Sequence, residues 1–107
     1  MSQRLEEKDR QRLIVLEALY DNTDGRTDAF CYTNEFFKIL AERGISKSDV
    51  DGALKWLHGE GLGGYIASGM VGITHEGARE VEDARRNPNR GTDHFSPTII
   101  QNVNNNN

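Results

Sequence analysis

The glycine-rich run from Gly59 to Gly64 is the first stretch whose residue types and spacing could do chemistry. It formally matches G-x-G-x-x-G, in which glycines let a backbone approach a dinucleotide pyrophosphate. That site needs a strand before the glycines and a helix after them, because the helix N-terminus holds the phosphates. Here a helical pattern comes first and strand signals follow. We therefore expect a flexible joint between a helix and a hairpin, with no nucleotide or other cofactor.

The residues that could bind a metal or attack a substrate are scattered along the chain. The potential ligands Cys31, His58, His75 and His94 lie at least 17 residues from one another, whereas zinc sites usually take two ligands a few residues apart. No nucleophile elbow or oxyanion-hole motif surrounds a serine or histidine. The sequence therefore predicts no metal, no catalytic residue and no small-molecule substrate.

Length and composition indicate one small intracellular domain. The chain has 107 residues and a single cysteine, which leaves no intrachain disulfide. No apolar run approaches the roughly 18 residues of a membrane span, and the N-terminus is too polar for a signal peptide. We therefore expect a cytoplasmic protein without membrane contact. Its net charge of −4, from 13 basic and 17 acidic residues, opposes a general attraction to nucleic acid.

Hydrophobic spacing and turn signals place four helices and a hairpin along the chain. A first helix is expected up to Tyr20, followed by a short strand at 29–32. The later helices are expected at 33–43, 46–58 and 74–86, and the hairpin at 65–73 around Ser68-Gly69. Gly44 suits a left-handed helix end, and Ser46 and Thr74 suit helix N-caps.

These turns and caps resemble those of a known family. Gly44-Ile45-Ser46 between two helices, Gly61-Leu62 before the hairpin, and Ile73-Thr74-His75-Glu76-Gly77 after it are together similar to small bacterial winged-helix regulators. Those regulators carry an (L/I)-T-x-x-G step into their last helix. The resemblance covers about residues 10–86 and leaves 1–9 as a charged, partly helical arm. It implies an α+β winged helix-turn-helix with a three-helix core, a short β-hairpin wing and a C-terminal helix.

The same resemblance implies that the second helix of the helix-turn-helix enters the major groove of double-stranded DNA. The exposed residues that would contact DNA are Ser46, Lys47, Ser48, Asp51 and Lys55. A transcription-regulator-like role would need a homodimer, with the first helix as the dimerisation element. Charge argues against this role, because residues 59–72 carry no lysine or arginine to neutralise phosphates. By analogy with the fold, DNA binding is still the leading hypothesis.

A protein-interaction or assembly adaptor that binds no DNA is the alternative hypothesis. Its candidate interface residues are Trp56, Tyr65, Ile66 and Met70. Trp56 lies off the apolar stripe of its helix, where it either caps the core against Tyr65 or anchors a protein interface. An exposed apolar patch around the hairpin would favour protein docking.

The C-terminal residues 87–107 are predicted to be disordered, because they contain seven asparagines, two prolines and few core formers. The preferred interpretation is a linker to another domain. The alternative is that the β-prone stretch 95–103 adds to a partner's sheet edge or self-associates together with the asparagines that follow it.

Overall fold

Helices and strands alternate along the chain in a computed structural model that describes residues 3–104, with side chains from Leu5 onward. The helices are α1 (Gln3–Thr23), α2 (Thr33–Ala41), α3 (Lys47–Gly59), α4 (His75–Arg86) and α5 (Pro97–Asn104). The strands are β1 (Cys31–Tyr32), β2 (Gly63–Ala67) and β3 (Met70–Ile73). Over the described residues the fold is therefore α+β, with five helices and one three-stranded antiparallel sheet. The order of elements is compatible with a winged-helix-like arrangement.

The predicted hairpin is confirmed, and the predicted short strand joins it. β2 and β3 pair through the Ser68-Gly69 turn, where Gly69 has a φ of 78° that suits glycine. β1 pairs with the other edge of β3, which gives the order β1-β3-β2. Val71 and Ile73 alternate with Met70 along β3 and are buried, so one face of the sheet covers the core.

The two predicted helix caps are also confirmed. The Ser46 hydroxyl accepts a hydrogen bond from the Asp49 backbone N–H at 3.1 Å, at the start of α3. The Thr74 hydroxyl accepts one from the Gly77 N–H at 3.0 Å, at the start of α4. Gly44 has a φ of 80° after the end of α2, as a left-handed helix end requires. The turns between the helices therefore follow from local sequence.

Gly77 is needed because α4 begins against the segment that precedes the hairpin. A Cβ at this position would lie 1.8 Å from the Leu62 carbonyl oxygen, far inside van der Waals contact. The Thr74 hydroxyl also donates to the Gly61 carbonyl oxygen at 2.7 Å, which fixes the same approach. The Ile73–Gly77 step therefore joins a helix cap to a close contact between two parts of the chain.

The core is built around α1, whose residues are buried without interruption from Leu13 to Leu19. α3, α4, α5 and the sheet all pack against this helix. The predicted apolar stripe of α3 is buried, and it consists of Val50, Ala53, Leu54 and Leu57. This buried stretch is apolar except for Glu17, whose carboxylate lies 3.4 Å from the Arg85 guanidinium of α4.

The charged arm and the buried helix form one element, and α1 ends three residues later than predicted. The predicted charged arm at 1–9 is helical from Gln3 onward and continues directly into the buried part of α1, while residues 1 and 2 lie outside the described range. α1 also extends past Tyr20 to Thr23. The side chains of Asn22 and Thr23 donate hydrogen bonds to carbonyl oxygens four residues earlier, each at 2.7 Å, and so support the last turn.

The described part of the predicted disordered tail is ordered against the body of the protein. Residues 87–104, called the C-terminal segment below, end in α5, and Phe95, Ile99 and Ile100 are buried in the core. Ser96 accepts a hydrogen bond from the Ile99 N–H at 3.3 Å, and Pro97 opens the helix, where no N–H is needed. The stretch 95–103, predicted to add as a strand, is therefore helical from Pro97 onward. Residues 105–107 lie outside the described range.

Candidate binding surfaces

The exposed face of α3 brings together the five residues predicted to contact DNA. Ser46, Lys47, Ser48 and Lys55 are exposed, and Asp51 is partly exposed. The Lys55 ammonium lies 3.1 Å from the Asp51 carboxylate, so its charge is balanced locally. The Lys47 ammonium lies 5.3 Å from the centre of the Phe37 ring. The ring does not neutralise Lys47, so this face presents one lysine charge balanced by a carboxylate and one that is not.

Asp51 also ties α3 to the hairpin. The Tyr65 hydroxyl donates to its carboxylate at 2.5 Å. This hydrogen bond, followed by the Lys55 ammonium, holds the pKa of Asp51 below its usual value. Burial, followed by the hydrogen bond to Asp51, raises the pKa of Tyr65 to about 12. The Tyr65 hydroxyl and the Asp51 carboxylate are thus hydrogen-bonded to each other and are less available to a ligand.

An apolar surface lies on the side of the sheet that faces away from the core. Tyr32 pairs with Met70 across β1 and β3, so the two side chains share this side. The Ile66 side chain lies over Gly72, with its Cδ1 3.2 Å from the place that a Cβ on Gly72 would occupy. The Phe30 and Tyr32 rings meet edge to face at a centroid distance of 5.3 Å. We call Phe30, Tyr32, Ile66 and Met70 the outer sheet face.

The outer sheet face is exposed and carries no charge of its own. Tyr32 is 63% exposed, Ile66 56% and Phe30 44%. From Gly61 to Thr74 the sequence contains no charged residue. This surface therefore suits contact with another apolar surface and does not suit phosphate.

Trp56 lies elsewhere, so the four predicted interface residues do not form one surface. Ile66 and Met70 belong to the outer sheet face, and Tyr65 turns toward Asp51. Trp56 is half-buried, with the Arg12 guanidinium 4.4 Å from its ring centre. Its position is about 140° around α3 from Asp51, because the two are five residues apart on a helix. The structure therefore separates Trp56 from the other three candidates, and the interface role of all four residues stays a prediction.

The C-terminal segment covers Trp56 with two rings. The His94 ring lies perpendicular to the indole at 6.1 Å between centres, and the Phe95 ring lies tilted at 6.0 Å. Trp56 therefore does cap the core, but against residues of the C-terminal segment. No local sequence pattern indicates this contact, because 38 residues separate Trp56 from His94.

A buried carboxylate anchors the same segment. Glu80 is only 7% exposed and accepts hydrogen bonds from the Thr92 hydroxyl and, at 3.1 Å, from the His94 backbone N–H. The His94 ring nitrogens lie 3.3 Å from the Glu80 carboxylate and 3.2 Å from that of Glu60. Within residues 3–104, no cluster of three or more histidine, cysteine, aspartate or glutamate side chains is placed to hold a metal ion. This anchor joins α3, α4 and the C-terminal segment.

Comparison with known proteins identifies no relative: no protein-family model, curated protein or solved structure matches this chain significantly. None of the helices within residues 3–104 combines the length and the apolar character needed to cross a membrane.

Proposed function

We propose that the chain is a non-catalytic winged-helix module that binds a protein through the outer sheet face. The observation that carries this proposal is the exposure of Phe30, Tyr32 and Ile66 on one side of an uncharged sheet. The winged-helix assignment is supported by the capped α3 after the Gly44 turn, by the hairpin, and by α4 after it. The partner that fits this face has an apolar, uncharged contact surface.

The energetics of the surface favour a protein over DNA. Aromatic side chains are enriched at protein interfaces and supply much of the binding energy there. DNA affinity comes largely from cations that neutralise phosphates. The hairpin has no cation, and Lys55 on α3 is paired with Asp51. The outer sheet face is therefore the stronger of the two candidate surfaces.

Site-specific photo-cross-linking tests the proposal. A photoreactive phenylalanine analogue at position 32 is expected to capture a protein partner in the native host, whereas the same analogue at Arg79, an exposed position of α4, captures none. The purified partner is then titrated with the wild type and with a Tyr32→Ala, Ile66→Ser variant. We expect the variant to bind at least roughly tenfold more weakly, since interface anchors cost more than about 1.4 kcal/mol when truncated.

The control for this titration is Ser48→Ala, which changes an exposed side chain of α3. It is expected to bind the partner as tightly as the wild type does. Equal affinity of the wild type and the Tyr32→Ala, Ile66→Ser variant would exclude the outer sheet face as the docking surface.

DNA binding through α3 is the second candidate function, favoured by the exposed Lys47, Ser48 and Lys55 on an N-capped helix. In this case a short duplex at low salt shifts the amide resonances from Ser46 to Lys55, and the shifts disappear as salt is added. A Lys47→Ala, Lys55→Ala variant would lose them. An unchanged amide spectrum at low salt would exclude this function.

A further inference from the structure

We propose that the C-terminal segment is a reversible strap, which covers Trp56 when docked and exposes it when open. Trp56 would then be available to a partner only in the open state. This inference concerns the side of α3 that carries Trp56 and is independent of the outer sheet face.

The hydrogen bonds between the strap and Glu80 can be replaced by water when the strap opens. Both hydrogen-bond donors to Glu80, the Thr92 hydroxyl and the His94 N–H, belong to the C-terminal segment. Burying a carboxylate is costly, and the contacts made in return offset that cost only in part. When the segment opens, Glu80 regains water, so the anchor fixes the docked geometry without making docking strongly favourable.

The outer edge of the contact between α5 and α1 is open to solvent, although Ile99 and Ile100 beneath it are buried. A cleft of about 450 Å³ lies between the two helices, lined by Glu6, Arg10, Thr98 and Asn102 among others. Atoms that line an open cleft lack contacts on one side and contribute less dispersion energy. A short element at the end of the chain is expected to open at a lower free energy than the whole domain unfolds.

The structure also indicates what opening would expose. In the open state Trp56 loses its contacts with the His94 and Phe95 rings. It keeps its contact with the Arg12 guanidinium, which belongs to α1. Tryptophan and arginine are two of the three side chains enriched at binding hot spots, the third being tyrosine. The docked segment therefore hides a potential anchor on the same helix that carries the exposed polar face.

Two measurements on the full chain test the strap. Native-state hydrogen exchange compares the α5 amides, such as Ile100 N–H bonded to the Ser96 carbonyl at 3.0 Å, with those of Leu16 and Leu19 in the core. Acrylamide quenching reports on Trp56, the single tryptophan of the chain. We expect the α5 amides to exchange faster than the core amides in the wild type.

The variant His94→Gln removes a ring that contacts both Glu80 and Trp56. It is expected to lower protection in α5 about tenfold and to increase quenching of Trp56, while core protection is unchanged. His75→Gln, at the exposed start of α4, is the matched control and should change neither quantity. Phe95→Ala, which removes an apolar contact of the strap, should act in the same direction as His94→Gln.

Exchange of α5 and core amides at one common rate in the wild type would overturn the proposal, because the segment would then open only with global unfolding. Faster α5 exchange in His94→Gln without increased quenching of Trp56 would also overturn it, since opening would not expose the tryptophan.

Discussion

The contact between Tyr65 and Asp51 shows how single residues decide which surfaces stay available. Both residues were predicted as binding candidates from exposure on a helix and a hairpin. Their hydrogen bond at 2.5 Å joins those two elements. Residue type and spacing predicted their positions, but the pairing depends on how α3 and β2 meet in space, which no local pattern encodes.

This contact predicts a loss of stability at high pH. The raised pKa of Tyr65, about 12, means that the folded state keeps a proton that the unfolded state releases above its ordinary value of 10.0. The folded state then binds more protons, so the free energy of unfolding falls as the pH rises from about 10 to about 12.

Denaturant unfolding at pH 9 and pH 11.5, roughly the two sides of this window, measures the effect. The wild type should lose more stability between the two pH values than Tyr65→Phe, whose side chain cannot ionise. Tyr32→Phe on the outer sheet face is the control and should lose as much as the wild type. Equal losses in the wild type and Tyr65→Phe would show that the Tyr65 contact contributes nothing.

The elements themselves were predictable to different degrees. α2, the Gly44 turn, α3 and the hairpin all carry their caps and turn residues in sequence, and each was placed within a few residues. α5 was missed because its asparagines suggested disorder. The signal that could have identified it is Ser96-Pro97, an N-cap and an N1 proline, with Ile99 and Ile100 in the next turn.

At the level of elements, α4 depends on the absence of a side chain at Gly77. Gly77→Ala would place a Cβ 1.8 Å from the Leu62 carbonyl oxygen, so the helix or the segment before the hairpin must move. We expect a loss of about 2 kcal/mol or more in the free energy of unfolding, as for other overpacked sites.

Gly52→Ala is the matched control for this substitution. Gly52 lies on the exposed face of α3, and a Cβ there meets no atom within 4 Å. The control should be neutral or gain up to about 1 kcal/mol, because alanine is the better helix former. Chemical denaturation of the two variants compares them directly, and a Gly77→Ala protein as stable as the control would contradict the close approach.

Over the whole molecule, charge and apolar exposure are separated. Paired charges occupy α3, the apolar outer sheet face lies on the hairpin and β1, and Trp56 lies under the C-terminal segment. Sequence composition predicted the lack of cations in the hairpin. It could not predict that Phe30 and Tyr32 join Ile66 on one surface, because that requires the pairing of β1 with β3.

The most direct test of the proposed protein-binding role is a map of amide shifts on the full chain, titrated with the partner purified after cross-linking. We predict that the shifts centre on residues 30–32 and 66–70 and persist as salt is raised, since apolar contacts are not screened. Shifts from this partner that are confined to Ser46–Lys55 and disappear as salt is raised would contradict the proposal.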